Sequence, residues 1–236
     1  MEGATKVSRE RKGQAVTSSQ TAHTASHMEE DNRPSRGRPR DEEKNSAIID
    51  AASVLFLENG FDGTSMDEVA KRAGVSKQTV YSHFSSKEQL FSEAIHITIA
   101  KYFPDAALEM VEDHTLESDL YVVAETYARL LLSEKAVAMH RVLVAAAAKG
   151  PELAQIFWQA GPAEMNEKLE DFIRAWTEKG ELKIDNIEKA SGQLITLLKG
   201  KLHFMREIGM AAEITEAEIK EQTQDAVSCF LKLYKA

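Results

Sequence analysis

The stretch Ser65 to Phe84, SMDEVAKRAGVSKQTVYSHF, decides how the rest of the chain is read. Ser65 and Glu68 stand in the S-x-x-E spacing of a capping box, in which each residue satisfies a free backbone N–H at a helix start. Val69, Ala70 and Ala73 then form one apolar face, and Gly74 supplies the backbone freedom for a sharp turn. Ser76 caps a second short helix, Lys77 to His83, with Val80 facing inward. Two short helices meeting at a glycine, with a small residue at the contact and polar side chains outside, match the helix-turn-helix pattern.

Upstream, Ile48, Ala52, Leu55 and Phe56 give the 3.6-residue stripe of an amphipathic helix from Asp41 to Asn59, closed by Gly60. This helix completes a three-helix head. Downstream, Ser85 and Glu88 read as another capping box, starting a long helix that ends near Phe103 before Pro104.

Residues 1–41 are poor in aromatics and rich in Ser, Thr, Gln and Arg, a composition that predicts disorder. The His27-Met28 pair has the look of a cloning junction, so residues before 28 are either native or vector-derived. Arg36, Arg38 and Arg40 alternate with Gly37 and Pro39, as in an extended arm that enters an A·T minor groove. A solvated basic tail is the alternative reading, and the adjoining head favours the arm.

Composition limits the function classes. The 236 residues are 43% hydrophobic and 28% charged, with no apolar run long enough for a membrane span. Cys229, the one cysteine, excludes a disulfide framework and suits a reducing cytoplasm; beside Val227 and Phe230 it is expected to be buried and inert. The net charge of −9 is unevenly placed: residues 33–87 carry nine basic and eight acidic groups, and residues 88–236 carry 16 and 25. A polyanion-binding face is thus compatible with the head, while the acidic remainder opposes wrong docking.

Beyond Pro104 every segment reads as helix: 105–113, 118–133, 135–148, 151–179, 187–208 and 214–235. Gly161-Pro162 should kink or divide the fourth of these. Asp185 with Glu188, and Thr215 with Glu218, are spaced to cap the last two. The fold class is therefore all-α: a helix-turn-helix domain at 42–86 and a larger helical domain at 87–236.

The segment from about Ala47 to Phe91 carries F-x-x-x-G-F-x-x-T-S-M-x-x-V-A-x-x-A-G-V-S-K-x-T-V-Y-x-H-F-x-S-K-x-x-L-F. It resembles the DNA-binding domain of the TetR/AcrR family of bacterial regulators over about a fifth of the chain. On the second helix, Gln78 and Lys77 suit base edges, and Thr79, Tyr81 and His83 suit the DNA backbone. The resemblance implies the same for Tyr81 and His83. Thr64, Ser65 and Lys87 sit at helix starts, where phosphate is favoured, although capping alone also accounts for Thr64 and Ser65.

One such helix reads few base pairs, so specificity calls for a homodimer on a palindromic operator. Leu194, Ile195, Leu197, Leu198, Leu202 and Phe204, with Ile219, Ala226, Val227, Phe230 and Leu231, offer either a four-helix dimer interface or a monomer core; the resemblance implies the interface. Phe103, Tyr127, Met139, His140, Phe157, Trp158, Trp176 and His203 are candidates for lining a small-molecule effector pocket, which the resemblance also implies, or are simply core.

No cofactor, metal or catalytic motif is visible. Glu93-x-x-His96 occurs once, whereas a di-iron bundle needs the motif twice with two further glutamates. The reading is a ligand-responsive transcriptional repressor; a helical metal-binding enzyme and a constitutive architectural DNA-binding protein are the alternatives.

Overall fold

The computed structural model describes residues 38–103, 114–211 and 213–236. Arg36, the rest of the N-terminal segment and the expected 105–113 helix lie outside them. The described residues form ten α-helices: α1 (Arg38–Asn59), α2 (Met66–Ala73), α3 (Lys77–His83), α4 (Lys87–Tyr102), α5 (Leu116–Leu131), α6 (Glu134–Ala146), α7 (Glu152–Gln159), α8 (Pro162–Glu178), α9 (Ile187–Glu207) and α10 (Glu216–Tyr234). A single bridge between Leu182 and Lys235 is the only extended pairing among them. The chain is all-α.

Most helix starts are where capping chemistry places them. Ser65 Oγ accepts the Glu68 N–H at 3.2 Å, and a Glu68 carboxylate oxygen accepts the Ser65 N–H at 2.9 Å. Thr215 and Glu218 do the same for α10. Two caps fall one residue later than the spacing suggests. Ser86 caps α4 by accepting from Gln89 N–H, because the Gln89 side chain reaches back to take the Ser85 N–H at 2.7 Å. Asn186 rather than Asp185 caps α9. Gly161 divides α7 from α8, with Pro162 in the first turn of α8.

The first helix differs more. It begins at Arg38, three residues before the expected start, because Pro39 occupies a first-turn position where its missing N–H costs nothing. Arg38 and Arg40 are therefore helical, which corrects their reading as part of an extended arm.

The head core gathers Ile48, Leu55 and Phe56 of α1, Val69 of α2, Val80 of α3, and Leu90 and Phe91 of α4. Phe56 meets Phe91 edge-on at 5.2 Å, and Phe61 stacks on Phe56 at 5.8 Å. Ala94 and Ile95 carry the same core along α4 to Met139 of α6 and Leu153 of α7, so no clean seam separates the head from the larger helical domain. A second core joins α5, α8, α9 and α10. Leu194, Leu198, Ile219, Ala226, Val227 and Phe230 are buried in it within one chain. They are core, whereas Phe204, 57% exposed, and the partly buried Ile195, Leu197, Leu202 and Leu231 keep surface that a partner could cover. α10 turns Ala226, Val227 and Phe230 inward, which leaves Cys229 exposed rather than buried.

Candidate nucleic-acid interface and internal cavity

The turn between α2 and α3 is fixed by Gly74, whose φ of +69° is left-handed, and by Val75 N–H donating to Ala70 O at 3.1 Å. Val80 is fully buried and Phe84 nearly so, which seats α3 and leaves Lys77, Gln78, Tyr81 and Ser82 exposed on its outer face. Lys77 Nζ lies 2.7 Å from an Asp67 carboxylate oxygen of α2. Its hydrogen bond with that carboxylate holds the ammonium above the usual lysine range. The Thr79 and Ser76 hydroxyls share a hydrogen bond of 2.8 Å. Among the described residues Gln78 makes no side-chain bond that would have to be broken before it met a base edge.

Three candidates are placed differently from their expected role. Thr64 is buried, and its hydroxyl donates to Gly60 O at 2.8 Å and Leu55 O at 3.0 Å, closing the end of α1; its side chain is not available to phosphate. The His83 ring is turned inward, with Nε2 3.3 Å from an Asp41 carboxylate oxygen on α1. Lys87 reaches back across the head: Nζ donates to Phe61 O at 2.8 Å and Thr64 O at 3.0 Å and sits 4.4 Å from the Phe61 ring centre. It ties the start of α4 to the loop before α2, and at most one of its three protons is left for DNA. Ser65 remains exposed at its cap.

Behind the head lies a cavity of about 240 Å³. Tyr127, Met139, His140, Phe157, Trp158 and His203 all line it, together with Leu57 of α1, Ala94, Ile95 and Ile99 of α4, and Lys199 of α9. Phe103 and Trp176 do not. Phe103 packs edge-on against the far side of Tyr127 at 4.6 Å, and Trp176 is buried in the second core with Lys179 Nζ over its ring. The Tyr127 hydroxyl donates to Met165 O, and burial pushes the phenol pKa up. Trp158, 46% exposed, is at the rim.

Lys199 and His203 stand on either side of the non-helical Gly200, so their four-residue spacing does not by itself set them on one helix face; the bend nonetheless leaves both lining the cavity. A lysine in an apolar helix ordinarily reads as solvent-facing, which hides Lys199 as a cavity residue. The His203 ring is 6% exposed, and Glu207 Oε2 is 3.7 Å away, outside hydrogen-bond range. Glu207 instead pairs with His140 Nδ1 at 2.7 Å. Burial first, then the charges of Lys199 and His140, lower the His203 pKa below its ordinary value. Among the described residues no group of three or more His, Cys, Asp or Glu side chains is placed to hold a metal ion, and no helix is long and apolar enough to cross a membrane.

Comparison with known proteins covers both halves. Residues 48–94 match the family model of bacterial regulatory proteins, tetR family, and residues 118–236 match that of the AefR-like transcriptional repressor C-terminal domain. The chain is 27% identical over 191 residues to the uncharacterized HTH-type transcriptional regulator YdeS of Bacillus subtilis, spanning 81% of this chain and 91% of that one. Among solved structures it is similar to the flavonoid-responsive regulator FrrA, with 31% identity, a TM-score of 0.66, and coverage of 82% of this chain and 98% of that one. A TetR family transcriptional regulator from Pseudomonas syringae pv. tomato shows the same identity, TM-score and coverage.

Proposed function

The chain belongs to the TetR family of bacterial transcriptional regulators, and from that premise we propose that it is a cytoplasmic, ligand-responsive repressor that binds a palindromic operator as a homodimer and leaves it when a small molecule enters the cavity. One observation carries this reading: α4, the helix whose first residue ties down the head, also forms a wall of the cavity through Ala94, Ile95 and Ile99. A ligand that needs more room there presses on the element that orients α3. Two α3 helices at the spacing of successive major grooves, about 34 Å or a multiple, would then be moved out of register. The ligand works only through its different affinity for the two states, and a coupling of about 1–3 kcal/mol gives a 5- to 150-fold change.

In this reading residues 42–86 form the DNA-binding domain, with α1 extending a few residues before it, and 87–236 the effector and dimer domain. Gln78 reads a base. Lys77 leaves Asp67 to reach guanine or phosphate, Tyr81, Thr79 and Ser65 address the backbone, and Arg36 in the preceding segment supplies further charge. Similarity to a flavonoid-responsive protein makes flavonoids a reasonable first set of effectors.

Selection of bound duplexes from a random DNA pool tests the proposal. Recovery of an inverted repeat, bound by two chains per duplex and released by a cavity ligand, supports it. Recovery of no consensus, or a consensus without two-fold symmetry, sinks it.

A further inference from the structure

The cavity is apolar over most of its wall, and its polar atoms divide into two sets. Ser53, Thr98 and Tyr127 have already donated their hydroxyls to the carbonyls of Ile49, Ala94 and Met165. The side chains left to meet a ligand are basic or amide: Lys199, His203, His140, Lys135 and Asn166. Among the described residues no carboxylate lines the space. His203 of α9 faces His140 of α6, the two imidazoles 5.4 Å apart, and Lys199 of α9 lines the same cavity near enough for its charge to act on His203. Glu207, the nearest acid, is engaged by His140 from outside the cavity.

His203 is the telling residue. It is buried, lines the cavity, and its ring makes no hydrogen bond within 3.5 Å among the described residues. Lys199 is half-buried and has no carboxylate partner among them. Neither is a sealed, unsatisfied donor; both line the cavity with nitrogens that no carboxylate there engages, so a wall of this kind is complementary to an acceptor that arrives with the ligand.

We infer that the α6–α9 wall seats the ionised group of an amphipathic organic anion, with Lys199 and His203 as its direct partners, and that a neutral apolar molecule of the same shape is discriminated against. The inference rests on the reading of this cavity as the effector site. An anion beside His203 also opposes the effects that lower its pKa, so binding draws in a proton.

Two dyes with one skeleton separate the possibilities: 1-anilinonaphthalene-8-sulfonate, which carries a charge, and neutral N-phenyl-1-naphthylamine. Titrated by fluorescence, Lys199→Met should weaken the sulfonate by about tenfold or more, the scale of a lost charge-assisted hydrogen bond, and leave the neutral dye within about twofold. His203→Gln should act in the same direction, and retained neutral-dye binding shows that each variant is folded. Ala136→Trp, which fills the cavity, should evict both dyes. If Lys199→Met and His203→Gln leave the sulfonate within about twofold, or weaken both dyes alike, the anion inference is overturned while the cavity reading stands. If Ala136→Trp evicts neither dye, both fall together.

Discussion

Replacing Lys87 by Met keeps the apolar stem over Phe61 and removes the ammonium that donates to Phe61 O and Thr64 O. Two hydrogen bonds from a charged donor are worth about 1.5 kcal/mol each at the low end of their range, which suits a half-buried group. The ring contact adds about 0.5–1 kcal/mol. Methionine held over the same ring carries the same ordering cost as lysine, about 1.5–2 kcal/mol, so that cost cancels. The net loss is about 3.5–4 kcal/mol, and at about 2–4 °C per kcal/mol for a chain of this size the midpoint should fall by about 7–16 °C. Far-UV circular dichroism during heating measures it. The same variant should bind its selected operator more weakly, and if the third ammonium proton reaches a phosphate, the slope of log affinity against log salt should fall by about one. A midpoint within about 1 °C of the parent would refute the reasoning, since a lysine that acts only on DNA leaves the free protein's stability untouched.

Gln78→Ala should relax sequence preference at a single operator position, by about 1–3 kcal/mol of discrimination, without moving the melting midpoint; competition among operators mutated base by base reads it. Gly200 bends α9 with φ +50° and ψ −156°, a region closed to other residues, and a Cβ there would meet the Gln222 side chain that caps Leu197 O. Gly200→Ala should therefore cost about 1–3 kcal/mol in urea unfolding; an unchanged midpoint would mean that the bend is not required. Because the folded pKa of His203 lies below its unfolded value, the unfolded state takes up the proton first, and the stability this neutral imidazole contributes is present above about pH 6.5 and declines as pH falls below it. Between pH 7.5 and 5.5 the parent should lose more stability than His203→Gln, and equal losses would contradict the shift.

Much of the fold is readable in the residues because helix starts advertise themselves. The Ser65–Glu68 and Thr215–Glu218 boxes, Gly74 and Gly161-Pro162 are local chemistry, and each acts where its spacing says. The displaced caps at Ser86 and Asn186 show the limit: several adjacent residues could accept the bond, and the side chain that reaches back decides. Longer-range partners are hidden. Nothing in the sequence near Thr64 or Lys87 announces that they fasten α1, α2 and α4 to one another, and Asp41 beside His83 is 42 positions away. The apolar faces of α9 and α10 are visible, but whether they meet their own chain or a second copy depends on how α5 packs between them. Six of the eight cavity candidates do share one space, because aromatic and Met side chains on converging helices rarely have elsewhere to go.

The central claim is that cavity and DNA face are one equilibrium, and reciprocal linkage tests it most directly. The dissociation constant of a cavity-bound dye or effector should be measured with and without saturating operator, and that of the operator with and without the ligand. Each is expected to weaken the other by the same factor, within about 5- to 150-fold. Identical ligand affinities for free and operator-bound protein would contradict the claim.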